Sequence, residues 1–325
     1  MISVIVSNFN GLRWLPRLLE SLRAQKDVEI EIVVVDREST DGSGPYLAAQ
    51  PDVRVVSEPP QTGLVAGYEH GTRCARGELY FFCNEDMWFH PECLARLAAV
   101  IDLDAKVGAA DGWHWTYDGT EWVHGATRFM PARWSRVCPY PKRAADFTVD
   151  LPTGSETPFP CAGAFLIHRD VHAALGGWDP SFFLDHEDID LFLRAWQRGW
   201  RCVSVPEARI HHAISAANAH VLVSTGQTVQ RRRYVGQRAN IVIIATKYFR
   251  WTGVLLALAQ LPAGILSNLM GGRFRRVLDD FSVPADLWRR APAALAFRKA
   301  NAPYNTRFPG ETFFTEPRYQ SAPKV

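Results

Sequence analysis

A chain of 325 residues that is 47% apolar and 22% charged can bury a sizeable core, which excludes a disordered chain. Its 36 Lys and Arg against 34 Asp and Glu leave a net charge of +2, too small an excess to argue for a nucleic-acid groove. Six cysteines with no C-x-x-C pair and no zinc-ligand spacing, in a chain too large to need stapling, are expected to be reduced thiols in a cytoplasmic setting.

The opening run Met1-Ile2-Ser3-Val4-Ile5-Val6 has no basic leader and passes into polar Ser7-Asn8, so it reads as a strand and nothing in it suggests export. Further strands are predicted from Glu31 to Val35, Arg54 to Val56 and Leu79 to Cys83. Between the first two, Leu12, Leu15, Leu18, Leu19 and Leu22 share one helical face, and a second helix is expected from Gly63 to Ala75. This alternation predicts an α/β fold, an open, mainly parallel twisted sheet flanked by helices. Ligands collect at the carboxyl ends of such strands, so Ser7-Asn8-Phe9-Asn10, Asp36 and Asn84-Glu85-Asp86 should converge on one crevice.

From about Gly112 to Pro160 the pattern loosens into Trp, Pro, Gly and Arg, as expected of long loops around a site. Order returns with a strand from Ala164 to His168 and a helix from Glu187 to Arg198. In that helix Ile189, Leu193 and Trp196 share a face, Asp190 and Arg194 form an i,i+4 pair, and Gly199 suits a left-handed cap. A strand from Arg201 to Val205 then leads to His211-His212. Farther on, Trp251 to Gly272 has no ionisable side chain and is bracketed by Arg250 and by Arg273, Arg275 and Arg276. That composition suits a bilayer span, but Gln260, Pro262, Ser267 and Asn268 favour a helical hairpin broken near Pro262. Such a hairpin would pack on the domain, lie in a membrane interface or meet a second subunit as a homodimer. From Pro284 onward the chain is expected to be irregular.

The chemistry concentrates in two acidic clusters. Asp86, with Glu85 beside it, follows a strand that should be central, where a hard cation could take protein carboxylates and substrate phosphates as ligands. Asn84-Glu85-Asp86 could equally just turn the chain. Asp188 lies in a first helical turn, where the macrodipole favours the anion and a base could sit; Glu187 and Asp188 could equally just stabilise the helix start. Asp36 is placed to accept hydrogen bonds from a ribose or a base edge. His211 and His212 could complete a metal site, although such a pair is more often structural. No G-x-G-x-x-G follows the first strand and no P-loop is present, while Gly63, Gly67 and Gly71 suggest close helix packing beside a ligand.

Taken in order, these pieces resemble the inverting family 2 glycosyltransferases of the GT-A fold, and within them the bacterial rhamnosyltransferase-like group. The resemblance rests on Val4 to Gly11, Val34-Val35-Asp36, Ser39 to Ser43, Gly63 to Gly71 and the strand ending at Asp86. It continues through Gly176-Gly177-Trp178-Asp179, Phe182-Phe183-Leu184, Glu187 to Leu191 and Arg198-Gly199-Trp200, covering roughly residues 1 to 250. It implies a catalytic domain over residues 1–225 and a C-terminal helical extension over 226–325, possessing membrane or partner contacts. It implies a nucleotide-sugar donor contacted by Ser7, Asn8, Asn10, Asp36, Gly63, Asn84 and Glu85. Mg²⁺ or Mn²⁺ would be held by Asp86 and His212, and Asp188 of the Glu187-Asp188 pair would be the base. Gly163, Trp178 and Asp185 would line the donor-sugar and acceptor region. The implied reaction moves a hexose from a dTDP-rhamnose-like or UDP-sugar donor to a glycan or lipid-linked glycan hydroxyl, in cell-envelope polysaccharide synthesis at the cytoplasmic face of the inner membrane. Arg37-Glu38 and Asn84 depart from the family pattern, the latter replacing the first acid of a D-x-D signature. A sugar-nucleotide pyrophosphorylase and a catalytically silent glycan-binding scaffold are the alternatives; the first lacks its Gly-rich basic loop here.

Overall fold

The computed structural model describes residues 1–59, 63–124, 126–127, 148–149, 153–157, 160, 163–213 and 226–304, so Cys138, Cys161 and most of the expected loop run lie outside the described residues. The parallel part of the sheet is built from β1 (Ile2–Asn8), β2 (Ile30–Asp36), β3 (Val53–Ser57) and β4 (Leu79–Asn84), in the order β4-β1-β2-β3. Helices α1 (Leu15–Arg23), α2 (Ser43–Ala48) and α3 (Gly63–Cys74) connect these strands. The register sets Ser7 beside Val35 and Asn84, and Asn8 beside Asp36, so the polar ends of three strands form one rim.

After β4 come β5 (Met87–Phe89), α4 (Cys93–Ala99), β6 (Val107–Thr116) and β7 (Trp122–His124). The ribbon of β8 (Ala126–Thr127) and β9 (Thr148–Val149) stands apart from the main sheet. Strands β10 (Ser155–Glu156), β11 (Ala164–His168) and β12 (Arg201–His212), with α5 (Arg169–Leu175) and α6 (Glu187–Gln197), complete the order β10-β12-β6-β11-β4. Strand β11 is antiparallel to both β4 and β6, while β12 runs parallel to β6 and continues to His212, seven residues beyond the expected Val205.

Each face of the sheet has its own core. One face packs Val4, Leu18, Phe81 and Leu94 under α1 and α4; the other packs Ile5, Tyr68, Phe82, Phe165, Trp178 and Phe192 under α3 and α6. Helix α3 approaches β1 so closely that a Cβ on Gly71 would lie 2.3 Å from Ile5 Cγ2, which is why glycine recurs along it.

Among the described residues four more α-helices follow: α7 (Gly226–Tyr248), α8 (Trp251–Met270), α9 (Phe274–Asp280) and α10 (Val283–Ala300). Ile243, Ile244, Tyr248 and Phe249 join the core of the α6 face, so α7 is packed into the sheet domain. Two expectations are corrected here. The segment after Arg250 is one helix that passes through Pro262 without a hairpin, and the stretch after Pro284 is helical to Ala300. Beside Pro262, the Arg238 guanidinium of α7 donates to the carbonyls of Leu261 (3.1 Å) and Gln260 (3.4 Å). Gly264 leaves room for that guanidinium, since a Cβ there would overlap it.

Candidate active site

At the rim formed by β1 and β2, the Asp36 carboxylate accepts from Asn8 Nδ2 (2.6 Å) and Ser39 Oγ (2.6 Å). Asn10, in the left-handed region at φ 54°, accepts at Oδ1 from the Thr40 amide (2.8 Å) and donates its own amide to Ser39 Oγ (2.8 Å). Asx-type bonds of this kind hold the two loops in register. Ser7 and Asn8, expected to contact a nucleotide, are fully buried, and Gly67 of α3 lies against the Ser7 hydroxyl. Gly63, at φ 86°, abuts the Phe183 ring and carbonyl, tying the start of α3 to the loop before α6.

Asp86 is 5% exposed in the turn between β4 and β5, and its Oδ2 lies 3.3 Å from His212 Nε2 at the end of β12. The His212 Nδ1 is buried without a hydrogen-bond partner among the described residues. Gly163 lets this pair form: a Cβ there would lie 3.3 Å from the His212 ring and 2.5 Å from Met87 Cε. His211 instead stacks on Trp88 with ring centroids 3.6 Å apart, a structural role. Among the described residues no three His, Cys, Asp or Glu side chains gather to hold an ion, so Asp86 and His212 offer two ligands. Glu85 lies beside Gly11, and its carboxyl is raised to about 7 by burial and by the Asp86 charge, with Arg37 opposing. Arg37, absent from the sequence expectations as a site residue, lies over the Phe9 ring.

The second acidic cluster opens α6. Asp185 and His186 both have positive φ, 68° and 72°, a costly turn for residues with side chains. Helix α7 holds it. Arg233 donates to both Asp185 carboxylate oxygens (2.8 and 3.0 Å), Gln237 donates to one of them (2.9 Å), and Asn240 Nδ2 donates to the Asp185 carbonyl (2.7 Å). The Asp185 carboxylate is therefore committed to α7. Glu187 turns inward at 3% exposure and is held well above the usual carboxyl range by burial and by the neighbouring Asp188 and Asp185 charges. Asp188 is the more open of the pair, half-buried, with its Oδ1 accepting from the Ile189 amide (2.8 Å).

One side chain joins the clusters. The buried Tyr68 hydroxyl donates to Asn84 Oδ1 (3.0 Å), and its phenol is held well above its ordinary value by burial, by Cys83, and then by both Glu187 and Glu85. Both acidic clusters therefore act on one phenol at the carboxyl end of β4. Sequence reading missed Tyr68; its position in the glycine-spaced α3 was the available signal. Trp178, expected near the donor sugar and acceptor, has an indole that is 2% exposed and packs on Tyr68, Phe82 and Phe165.

Deeper, four charges cancel. Lys247 of α7 pairs with Asp190 and with Asp179 (2.8 Å), Arg194 pairs with Asp190 (2.8 Å), and the Tyr248 hydroxyl donates to Asp190 Oδ1 (2.6 Å). The Asp190–Arg194 pair, expected from its i,i+4 spacing, forms and is buried, with Asp190 0% and Arg194 4% exposed. Charges removed from water this way are stable only when paired and hydrogen-bonded.

A half-parallel sheet with polar strand ends gathered on one rim, closed by a helix carrying an acidic first turn, is the architecture of GT-A transferases. GalNAc-T7 solved with UDP, GalNAc and Mn²⁺ superposes with a TM-score of 0.53 at 20% identity, covering 65% of this chain and 43% of that one. Staphylococcus aureus TarS gives 0.53 at 16% identity over 75% of this chain and 39% of its own. The Glycosyl transferase family 2 profile matches residues 3–176, and the chain belongs to that family; it is a glycosyltransferase. An uncharacterized glycosyltransferase of Nostoc is 34% identical over 33% of this chain, which spans about a third (34%) of that relative. The N-acetylglucosaminyl-diphospho-decaprenol L-rhamnosyltransferase of Mycobacterium tuberculosis is 24% identical over 77% of this chain and 86% of its own.

Proposed function

We propose that this glycosyltransferase moves a sugar from a nucleotide-diphosphate donor, of the dTDP-rhamnose or UDP-sugar kind, to a hydroxyl of a glycan or lipid-linked glycan, with inversion. The observation that carries this reading is the Asp86–His212 pair, an oxygen and a nitrogen donor 3.3 Å apart just past the end of β4, in the sheet where β1 and β2 end at Asn8 and Asp36. The rhamnosyltransferase relative, whose name states a diphospho-lipid acceptor, supports the choice of substrates.

Asn10, Asp36 and Ser39 would form the end of the crevice where the nucleoside rests, with the Asp36 carboxylate held in place by Asn8 and Ser39. Asp86 and His212 fit a divalent cation: an oxygen and a nitrogen donor 3.3 Å apart, with the remaining ligands left to phosphate oxygens. Mg²⁺ or Mn²⁺ held there would offset charge on the diphosphate leaving group. On the other side, Glu187 resists ionisation, so Asp188 is the member of the pair that carries negative charge and accepts the proton of the acceptor hydroxyl. That hydroxyl attacks the anomeric carbon from the face opposite the nucleotide, and one displacement inverts the centre. The turn at Asp185 and His186, fixed from α7, sets where Asp188 stands.

Thermal unfolding with a panel of nucleotide sugars, with and without Mn²⁺ or Mg²⁺, tests the donor side. A donor should raise the melting temperature only with the cation, and Asp86→Ala should lose that rise. A rise indifferent to chelator and to Asp86→Ala would remove the cation from the mechanism.

A further inference from the structure

Past α7 the surface changes character. Helix α8 packs through a narrow stripe, with Gly253, Val254, Ala257 and Asn268 buried, while Leu255 is 66% and Met270 81% exposed. The next two helices continue the pattern: Phe274 is 68%, Leu278 69% and Trp288 85% exposed. Scattered exposed apolar side chains are ordinary; a succession of large ones along three consecutive helices marks a surface that meets something apolar.

Charge says what that is. Helix α8 carries no ionisable side chain, and Arg273, Arg275 and Arg276 follow it, all exposed. The acidic neighbours are taken: Asp279 by Arg231, Asp280 by Arg238, and Asp286 by Arg289 and Arg290. A groove of about 460 Å³ between α7 and α9 is lined by Arg231, Tyr234, Arg275 and Arg276, with Asp279 as its one acid. This excess of arginine over free acid is complementary to an anionic partner. A bilayer-spanning α8 would have to abandon its contacts with Val242 and Ala245 and the buried Asn268, which donates to Tyr234 Oη (2.7 Å) and Asp280 Oδ2 (2.8 Å).

We infer that helices α8–α10 form a docking surface for an anionic phospholipid bilayer, with the exposed apolar side chains in the acyl boundary and Arg273, Arg275 and Arg276 among the headgroup phosphates. An amphipathic segment of this kind gains from both apolar burial and anionic lipid, and arginine stems lie along the interface while their heads stay in water. The surface is independent of the donor and acceptor assigned above.

Flotation of the full chain with phosphatidylcholine vesicles, with and without phosphatidylglycerol, tests it in the absence of any sugar donor. Binding should require phosphatidylglycerol, reverse in alkaline carbonate, and weaken about 100-fold when Arg273, Arg275 and Arg276 are all changed to Gln. A second variant, Met270→Ser with Phe274→Ser, should also weaken binding; circular dichroism checks that both variants fold. Equal or absent binding to both vesicles would overturn the inference. So would retention in the bilayer after carbonate, which is a span, or a concentration-dependent dimer dispersed by Met270→Ser with Phe274→Ser, which is a second copy.

Discussion

The sheet domain and the C-terminal helices solve the burial problem in opposite ways. In β1 and β2 valine and isoleucine are buried, and the Asp36 carboxylate sits at the end of β2. In the helices beyond Gly226, Lys247, Asn240, Arg290, Asp280 and Asn268 are buried, while leucine, phenylalanine and tryptophan face outward. The first arrangement presents charge to a ligand. The second spends its polar groups on gripping the start of α6, through Arg233 and Asn240 at Asp185 and through Lys247 at Asp190. The family profile ends at residue 176, so α6, with the proposed base Asp188, and the α7 clamp lie beyond the matched residues.

The comparison breaks most visibly at Lys247. Its removal leaves Asp179 and Asp190 with Arg194 alone, an uncompensated buried charge. Lys247→Met should therefore cost about 3–5 kcal/mol, read as a shift in the urea midpoint. An unchanged midpoint would mean that the two regions are joined by apolar packing alone.

A smaller effect sharpens the sheet side. His172 is lowered to about 4 by burial, with Arg194 adding to the effect, so it stays neutral in the fold. The unfolded chain takes up that proton near 6.5 and the folded chain only near 4. The stability is therefore fully present above 6.5 and is lost as pH falls through 4, by about 3 kcal/mol. His172→Phe should flatten the pH dependence of unfolding over that window. A curve as steep as that of the wild type would assign the pH dependence to other groups.

Much of this molecule was legible in its sequence. The strand from Ala164 to His168 and the helix after His186 fall where pattern and capping put them, because apolar period and a glycine at φ 78°, Gly199, are local signals. Strand β6 was not legible. Its Val-Gly-Ala-Ala-Asp-Gly core carries small side chains because neighbours crowd it, and a Cβ on Gly112 would lie 2.4 Å from the Ala208 carbonyl. Pro262 suggested a break, yet the helix runs on to Met270, packed on α7 through Val254 and Ala257, contacts that lie in another helix. The resemblance put Trp178 near the sugars, but its ring contacts with Tyr68 and Phe82, far away in sequence, are not readable from the chain. The candidate site was readable as two acidic clusters; Tyr68, which lies between them, and the α7 clamp are products of tertiary packing.

The most direct test is the turnover of Asp188→Asn with its donor, measured alongside donor affinity. A fall of about 10²- to 10⁴-fold in kcat with donor binding kept is the expected result for loss of a general base. Turnover at the wild-type rate would contradict the assignment and leave Asp188 as a carboxylate that merely stabilises the start of its helix.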